Sequence, residues 1–209
     1  SYWEIIRIKL KYSGFVRLFL DALGRIGVRI TPYYIFVEGL SDKLDLNFNK
    51  DFEEYDLGFL SPDDMKVIAA IPGRHINEKK LIERLDNGKL CFGLKLNGEL
   101  CAFTWWSLTE FRGIGKNKAL AKDEAYLSDA YTFLPFRGRG IAPYIRYELY
   151  KEIAKLGKHK LYSYSSAFNA PSLKFKKKLK ARIIEKHIYI KIFDKWKSSF
   201  LLKKFNRNT

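Results

Sequence analysis

The segment PFRGRGIAPY (residues 135–144) joins an apolar, strand-like run to a helical pattern, and it constrains the fold more than any other stretch. Gly138 and Gly140 allow backbone conformations in which several N–H groups converge and a ligand approaches the chain closely. The helix dipole adds positive potential there, and Pro143 suits the first helical turn, where its missing N–H has no partner to lose. The segment therefore predicts an anion, most simply a phosphate, at the start of a helix near Ala142.

Two well-known phosphate loops are excluded by the spacing of these residues. The Rossmann pattern requires a third glycine that is absent, and the Walker pattern requires a Gly-Lys-Ser/Thr that does not follow. A sharp turn with nothing bound is the alternative interpretation of the two glycines alone. The neighbouring elements are therefore needed to decide between these interpretations.

Apolar periodicity predicts the order helix, helix, hairpin, strand, helix, strand, helix, strand, with a loop over residues 107–123 and a further strand at residues 30–40. The hairpin turns at Asn97-Gly98, a type I′ signal. Facing residue numbers then sum to 195, so Cys91 faces Thr104 and Cys101 faces Leu94. This register excludes a disulfide and predicts two buried free thiols.

The Arg-x-x-Gly-x-Ala pattern between a strand and a long helix resembles the loop motif of the GNAT superfamily of acyl-CoA N-acyltransferases. The next helix adds the asparagine, small residue and apolar residue that the family often shows, and the resemblance covers about residues 60–193. It implies an α/β (α+β) fold: a mixed, mostly antiparallel central sheet flanked by helices, with two parallel strands that splay apart. The matching positions are Arg137, Gly140, Ala142, Asn169, Ser172 and Phe175.

The resemblance also implies acetyl-CoA as cosubstrate and a small amine-bearing acceptor that attacks directly in a ternary complex. Backbone amides of the loop would hold the pyrophosphate, and the pantetheine arm would lie between the splayed strands. A backbone N–H near Thr132 would polarise the thioester carbonyl. The implied cofactor-binding residues are Thr132, Phe133, Arg137, Gly138, Arg139, Gly140, Ile141, Ala142, Asn169, Ser172 and Lys176.

Attack by an amine requires a general base, and departure of the thiolate can use a general acid. Asp129, on the strand before the loop, is the first candidate base and Glu124 the second; an ordinary strand carboxylate is the alternative for Asp129. The family commonly places a tyrosine where this chain has Lys176. Either another phenol serves as the acid, or the thiolate leaves unassisted; the candidate phenols are Tyr131, Tyr164 and Tyr162.

The net charge of +16 lies mostly at the two ends of the chain. Residues 1–30 hold six Lys/Arg against two acidic residues, residues 31–150 hold sixteen against eighteen, and residues 151–209 hold seventeen against three. This pattern predicts an anionic partner, and a basic solvated face is the alternative. The cluster Lys174, Lys176, Lys177, Lys178 and Lys180 would contain one or two contacts to the phosphates of coenzyme A.

We divide the chain into a basic amphipathic extension, residues 1–30, and one acyltransferase domain, residues 31–209, with a basic C-terminal tail. The extension has helical apolar spacing from Phe15 to Ile26, which suits either core packing or peripheral contact with an anionic membrane surface. No membrane-spanning run or leader pattern is seen, which predicts a cytoplasmic protein. The three histidines are scattered, so no metal is expected.

The acceptor and the donor carrier leave several hypotheses open. Trp105, Trp106 and Tyr131 would line an acceptor pocket for a sugar ring or an acyl chain, although hairpin aromatics commonly pack a core. The basic, amphipathic ends suggest an enzyme at the inner membrane face that acylates an amino sugar of surface polysaccharide biosynthesis, by analogy with such enzymes. The basic tail suits an acyl carrier protein as donor instead of coenzyme A. A nucleic-acid-binding module is the non-enzymatic alternative, disfavoured because the basic residues lie along no known reader of nucleic acid.

Overall fold

The computed structural model describes residues 19–20, 22–40, 52–74, 76–114, 116–193 and 195–205. The strands are β1 (Val28–Glu38), β2 (Tyr55–Phe59), β3 (Leu90–Leu96), β4 (Glu99–Ser107), β5 (Glu110–Gly113), β6 (Lys116–Ala119), β7 (Glu124–Thr132), β8 (Lys160–Ser166), β9 (Arg182–Ile192) and β10 (Trp196–Lys204). The helices are α1 (Asp64–Ala69), α2 (Glu78–Asp86), α3 (Ile141–Lys155) and α4 (Ala170–Lys178), with a 3-10 turn at Leu134–Phe136.

Eight strands form one central sheet in the order β10-β9-β1-β8-β7-β4-β3-β2, and β5 pairs with β6 in a separate hairpin. Only the β7–β8 pair is parallel among the described strands. Parallel neighbours need a crossover connection, which α3 supplies between them. The predicted fold class, a mixed and mostly antiparallel sheet flanked by helices, is confirmed.

The parallel pair separates partway along its length. Pairing runs from Glu124 opposite Lys160 to Leu127 opposite Ser163, and there it stops. Beyond that point β7 continues on β4 as far as Thr132, and β8 continues on β1. The two strands therefore form a V whose vertex lies at the Leu127–Ser163 pair.

Strand β1 lies inside the sheet, between β8 and β9. Its residues 28–30 pair with residues 190–192 of β9, so the predicted boundary between residues 30 and 31 falls within a strand. The basic end of the chain also belongs to the sheet, since β9 and β10 extend to Lys204. Residues 19–20 and 22–25 are helical, whereas the preceding part of the predicted amphipathic helix lies outside the described residues.

The β3–β4 hairpin has the predicted turn but not the predicted register. Asn97 and Gly98 have φ values of 50° and 80°, as a type I′ turn requires. A register shift after the Leu96–Glu99 and Lys95–Leu100 pairs places Cys91 opposite Trp105 instead of Thr104. A bulge adds one residue to one strand, so a register counted from the turn fails beyond it. Both thiols are buried and free, as predicted.

The segment predicted as a loop, residues 107–123, contains the β5–β6 hairpin. Its Phe111 ring packs on Tyr126 of β7 with ring centroids 4.6 Å apart. The Tyr126 hydroxyl donates to the Arg112 carbonyl at 2.9 Å. The four-residue strands EFRG and KNKA are too short to show a clear periodicity, so tertiary packing rather than local pattern determines this hairpin.

The two faces of the sheet bury separate apolar cores. Helix α3 packs Ile145, Leu149 and Ile153 on one face, and α1 with α2 covers the other. Trp105 and Trp106 alternate between these cores, each 1% exposed. The predicted placement of these tryptophans in an acceptor pocket is therefore wrong, because both indoles are core residues. No helix among the described residues is long and apolar enough to cross a membrane.

Candidate active site

A cleft of about 1010 Å³ occupies the V between β7 and β8. The end of β7, the loop before α3 and the first turns of α3 and α4 surround it. The vertex of the V, at Ser163, is its innermost part. The predicted residues that line it are Asp129, Tyr131, Thr132, Arg137, Gly138, Gly140, Ile141, Ala142, Tyr164, Asn169, Ser172 and Lys176.

The loop at the mouth of the cleft presents backbone donors. Gly138 and Gly140 have φ values of 83° and 79°, and Gly140 is the N-cap of α3 without a side-chain cap. No acceptor among the described residues meets the N–H groups of residues 138–142. A Cβ on Gly138 would meet nothing within 4 Å, so conformation rather than crowding requires glycine there. Backbone donors of residues 138–142 without an acceptor among the described residues therefore lie beside a helix N-terminus.

Arg137 connects the loop to the end of β7 instead of extending into the cleft alone. Its Nε donates to the Thr132 carbonyl at 2.9 Å, and its guanidinium lies 5.3 Å from the centroid of the Tyr131 ring. Arg139 lies over the Phe136 ring at 5.7 Å. These contacts orient the loop relative to the strand, which is the role of a positioning residue.

A β-bulge bends β7 beside the cleft. Phe103 pairs with Tyr131 and Trp105 pairs with Ser128, so Thr104 alone faces both Asp129 and the next residue. Asp129 has a φ of 45°, a conformation that Asp tolerates better than most residues. A bulge turns a side chain out of its regular alternation, and this one helps to open the strand away from β8.

Comparison with solved structures identifies the same architecture. A GNAT-family protein from Novosphingobium aromaticivorans superposes with a TM-score of 0.52 at 20% identity, over 78% of this chain and 65% of that one. The chain has the GNAT fold. A Drosophila protein (TM-score 0.54, 16% identity, 86% of this chain and 58% of that one) and a functionally unknown protein from Staphylococcus epidermidis (0.52, 9%, 83% and 66%) are also similar.

At these identities the likeness concerns the GNAT fold alone. The chain spans less than two thirds of the Drosophila and Novosphingobium proteins, 58% and 65% of their respective lengths. No protein-family model matches the sequence, and no curated protein matches it. Among the described residues, no group of three or more His, Cys, Asp and Glu side chains is arranged to hold a metal ion.

Asp129 is the carboxylate among the described residues that line this GNAT cleft. Its Oδ2 accepts from Arg74 Nη2 at 2.5 Å and from Arg84 Nη1 at 3.0 Å. Uptake of a proton on this oxygen would weaken two ion pairs. Its Oδ1 has no hydrogen-bond partner among the described residues, and the side chain is 28% exposed. Sequence spacing did not reveal the two arginines, which come from the neighbourhood of α1 and α2.

Glu124, the second candidate base, is not brought to the cleft. It lies at the other end of β7, where it accepts from Lys118, from Tyr162 and from the Ala121 N–H. Burial raises the pKa of this carboxyl, but these hydrogen bonds and the Lys118 charge outweigh burial and lower it. An ionised, fully paired carboxylate remote from the loop is a structural group.

Two of the three candidate phenols line the cleft. Tyr131 stacks on Phe103 with ring centroids 5.9 Å apart, and Tyr164 lies edge-on to Tyr33 at 6.0 Å. Burial, with the Asp129 and Tyr33 charges, raises the pKa of Tyr164, so this phenol keeps its proton at neutral pH. Tyr162 donates to Glu124 and lies outside the cleft.

Helix α4 begins at the far wall of the cleft. Asn169 is its N-cap, and Asn169 Oδ1 accepts from the Ser172 N–H at 3.2 Å. The predicted family positions Asn169 and Ser172 are therefore next to each other and also stabilise the helix start. Lys174 and Lys178, two residues of the predicted basic cluster, line the same wall.

Lys176 does not belong to that solvent-facing cluster. It is 2% exposed and points into the protein, where its Nζ donates to Glu38 Oε1 and Ser163 Oγ. The prediction that Lys176 contacts the phosphates at the entrance is therefore wrong, because a buried ion pair holds the ammonium at the vertex of the V. One helical turn contains both exposed and buried positions. Because several residues of this turn are lysines, the sequence does not show which of them is buried.

The buried group around Lys176, which we call the vertex cluster, consists of Glu38, Arg146, Tyr150, Ser163 and Lys176. The Tyr150 hydroxyl donates to Glu38 Oε2 at 2.5 Å, and Ser163 and Lys176 donate to Oε1. Burial raises the pKa of Glu38, but Lys176 and Arg146 outweigh burial and lower it to about 2. Burial and Arg146 lower the pKa of Lys176 to about 8 although Glu38 opposes them. Sequence reasoning missed this cluster because its members come from β1, α3, β8 and α4.

Proposed function

We propose that the protein is an N-acyltransferase that transfers an acetyl or other acyl group from coenzyme A to a primary amine. The observation that carries the proposal is the loop of residues 138–142 at the mouth of a cleft between parallel strands. Its backbone N–H groups have no acceptor among the residues that the structure describes. A GNAT fold provides this cleft, and the pyrophosphate is the ligand chemistry that suits such a loop.

The geometry of β7 supports a contact to the thioester. Phe133 N–H donates to the Cys101 carbonyl at 2.9 Å, which makes Cys101–Phe133 a hydrogen-bonded pair. In an antiparallel ladder the neighbouring pair, Ala102–Thr132, then directs its N–H groups outward. The Thr132 N–H therefore points to the side where β8 has diverged, and there it is available to a thioester carbonyl.

In this proposal Asp129 takes a proton from the ammonium of the acceptor, through Oδ1 or through a water on it. The neutral amine then attacks the thioester carbonyl, and the thiolate of coenzyme A leaves. Arg74 and Arg84 hold the other oxygen and so fix the orientation of the carboxylate. Tyr131 and Tyr164 line the cleft, and one of them would return a proton to the thiolate. Among the three aromatic residues assigned to an acceptor pocket, Tyr131 alone lines the cleft, so the acceptor is proposed only as a small amine, with an amino sugar as one candidate.

The test of the donor site is the pair Gly140→Val and Gly157→Val. Both glycines lie at an end of α3 with positive φ, 79° and 71°. Both variants should lose about 1–2 kcal/mol of stability from left-handed strain. Only Gly140→Val should weaken binding of acetyl-CoA and free coenzyme A, by about tenfold or more, since relief of that strain moves the converging N–H groups.

A thermal-shift titration measures this difference, because a ligand that binds only the folded state raises its melting temperature. A concentration-dependent rise in the wild type and in Gly157→Val, but not in Gly140→Val, supports the donor site. Equal responses of the two variants would contradict it. A rise in melting temperature with acyl carrier protein but not with coenzyme A would identify acyl carrier protein as the donor. A response only to nucleic acid, falling steeply with salt, would remove the enzymatic proposal.

The base is tested separately with Asp129→Asn. A general base contributes about 10²–10⁴-fold, so kcat should fall by this order with little change in KM for the donor. The rate of the variant should recover as pH rises, because the amine then loses its proton to solvent. A variant that instead loses donor affinity and shows no recovery would mean that Asp129 only neutralises the two arginines.

A further inference from the structure

The vertex cluster carries more positive than negative charge. Arg146 and Lys176 face one carboxylate, Glu38, and the three side chains are 3%, 2% and 0% exposed. Their sum is one uncompensated positive charge inside the protein. An isolated buried charge is costly, and proteins retain such charges where a counter-charge is supplied.

Arg146 is the member of the cluster without hydrogen bonds. Its Nε and Nη1 are buried and have no hydrogen-bond partner among the described residues. Glu38 Oε2 lies 3.9 Å from Nε, close enough for an ion pair but too far for a hydrogen bond. Glu38 is already occupied by Tyr150, Ser163 and Lys176. Two strong donors of Arg146 are therefore unpaired in the part of the chain that the structure describes.

The Arg146 side chain is next to the cleft. Arg146 lines it together with Ser163 and Lys176, at the vertex where β7 and β8 separate. The Arg146 guanidinium also lies 5.9 Å from the centroid of the Phe175 ring, which helps to hold its plane. A ligand at this end of the cleft would therefore lie beside a buried guanidinium.

We propose that Arg146 binds a carboxylate carried by a ligand in this cleft. A guanidinium presents a fork of N–H donors that matches a carboxylate bidentately. One carboxylate neutralises the single excess charge, whereas a phosphate dianion would leave an excess negative charge in the same buried place. The carboxylate belongs to a dicarboxylic acyl chain on the donor or to the acceptor. The identity of the carboxylate-bearing molecule, acyl donor or acceptor, rests on the proposed function. The binding of a carboxylate by Arg146 does not.

The experiment uses two matched ligand pairs, each with and without a carboxylate. Succinyl-CoA against butyryl-CoA tests the donor, and phenylalanine against its carboxamide tests the acceptor. Affinities are measured by calorimetry for the wild type, Arg146→Met and the control Arg182→Met. Arg182 is exposed on β9 and does not line the cleft.

The wild type should prefer the carboxylate member of at least one pair by about tenfold to 100-fold, as charge-assisted hydrogen bonds in a buried site do. Arg146→Met should abolish this preference, and Arg182→Met should keep it. The pair that shows the preference names the source of the carboxylate. Equal affinities within both pairs in the wild type, or a preference that persists in Arg146→Met, would overturn the proposal.

The melting temperature of ligand-free Arg146→Met is a second readout. The variant leaves Glu38 and Lys176 as a balanced pair, so it should be as stable as the wild type or more stable. A clear fall would identify Arg146 as a structural partner of Glu38 and would also overturn the proposal. If acetyl-CoA binds but neither ligand pair shows a carboxylate preference, this inference fails and the proposed function stands. If a carboxylate preference is found but coenzyme A does not bind, the proposed function fails and this inference stands.

Discussion

Replacement of Glu38 by glutamine tests whether the vertex cluster holds strand β1 to the helices α3 and α4. The change keeps the shape of the side chain and removes its charge. Arg146 and Lys176 are then two buried cations without a counter-charge. Loss of one partner of a buried ion pair typically costs about 3–5 kcal/mol.

The shift in the pKa of Glu38 gives a second route to this magnitude. Its lowering from 4.5 to about 2 means that the folded state favours the ionised carboxyl over the protonated one. That difference is worth about 3 kcal/mol, an order of magnitude that agrees with the ion-pair value. We therefore expect Glu38→Gln to lose about 3–5 kcal/mol of unfolding free energy at pH 7.

Urea denaturation followed by circular dichroism measures the loss, with Glu152→Gln as control. Glu152 pairs with Lys155 at 2.7 Å on the surface of α3, with side chains 38% and 69% exposed. That variant should change stability by about 0.5 kcal/mol or less. The double variant Glu38→Gln, Lys176→Met should recover part of the loss, because it removes one buried cation. A loss below about 1 kcal/mol in Glu38→Gln would refute the reasoning.

Two further predictions concern pH and packing. The pKa of Glu38 is lower in the folded state than in the unfolded state, so its stabilising effect is present above about pH 4.5 and is lost as the pH falls towards 2. Over that interval the unfolding free energy of the wild type should fall by about 3 kcal/mol relative to that of Glu38→Gln. Urea denaturation at each pH measures this difference. A Cβ on Gly93 would lie 2.3 Å from Leu60 Cδ2, whereas its strand partner Gly58 has nothing within 4 Å. Gly93→Ala should therefore lower the unfolding free energy by about 1–3 kcal/mol and Gly58→Ala should leave it nearly unchanged; equal losses in urea denaturation would contradict this packing.

Several elements could be predicted because their signals are local. Asn97-Gly98 specifies its turn through the φ values that those two residues tolerate. Helix α3 follows from apolar spacing, a preceding glycine and a proline in its first turn. The loop at Gly138 and Gly140 and the order of elements carried the resemblance to the GNAT superfamily. That resemblance implied the fold class, which the architecture and the structural comparison confirm.

Elements that depend on contacts between distant segments were not predictable in the same way. The position of β1 between β8 and β9 joins residues more than 100 positions apart, and no local pattern records such a pairing. The β5–β6 hairpin and the bulge at Asp129 have no periodic signal either. The register of β3 on β4 failed because one inserted residue changes every later pair.

The sequence by itself determined the loop, because glycine conformation and the start of a helix are properties of neighbouring residues. It also placed Asp129 and the tyrosines on the right strands, since alternation along a strand is local. Only the tertiary structure decided which charges are buried. Lys176 belongs to a run of lysines in the sequence, yet packing against Glu38 of β1 makes it an interior cation. Arg146 beside it then has two donors without a partner among the described residues.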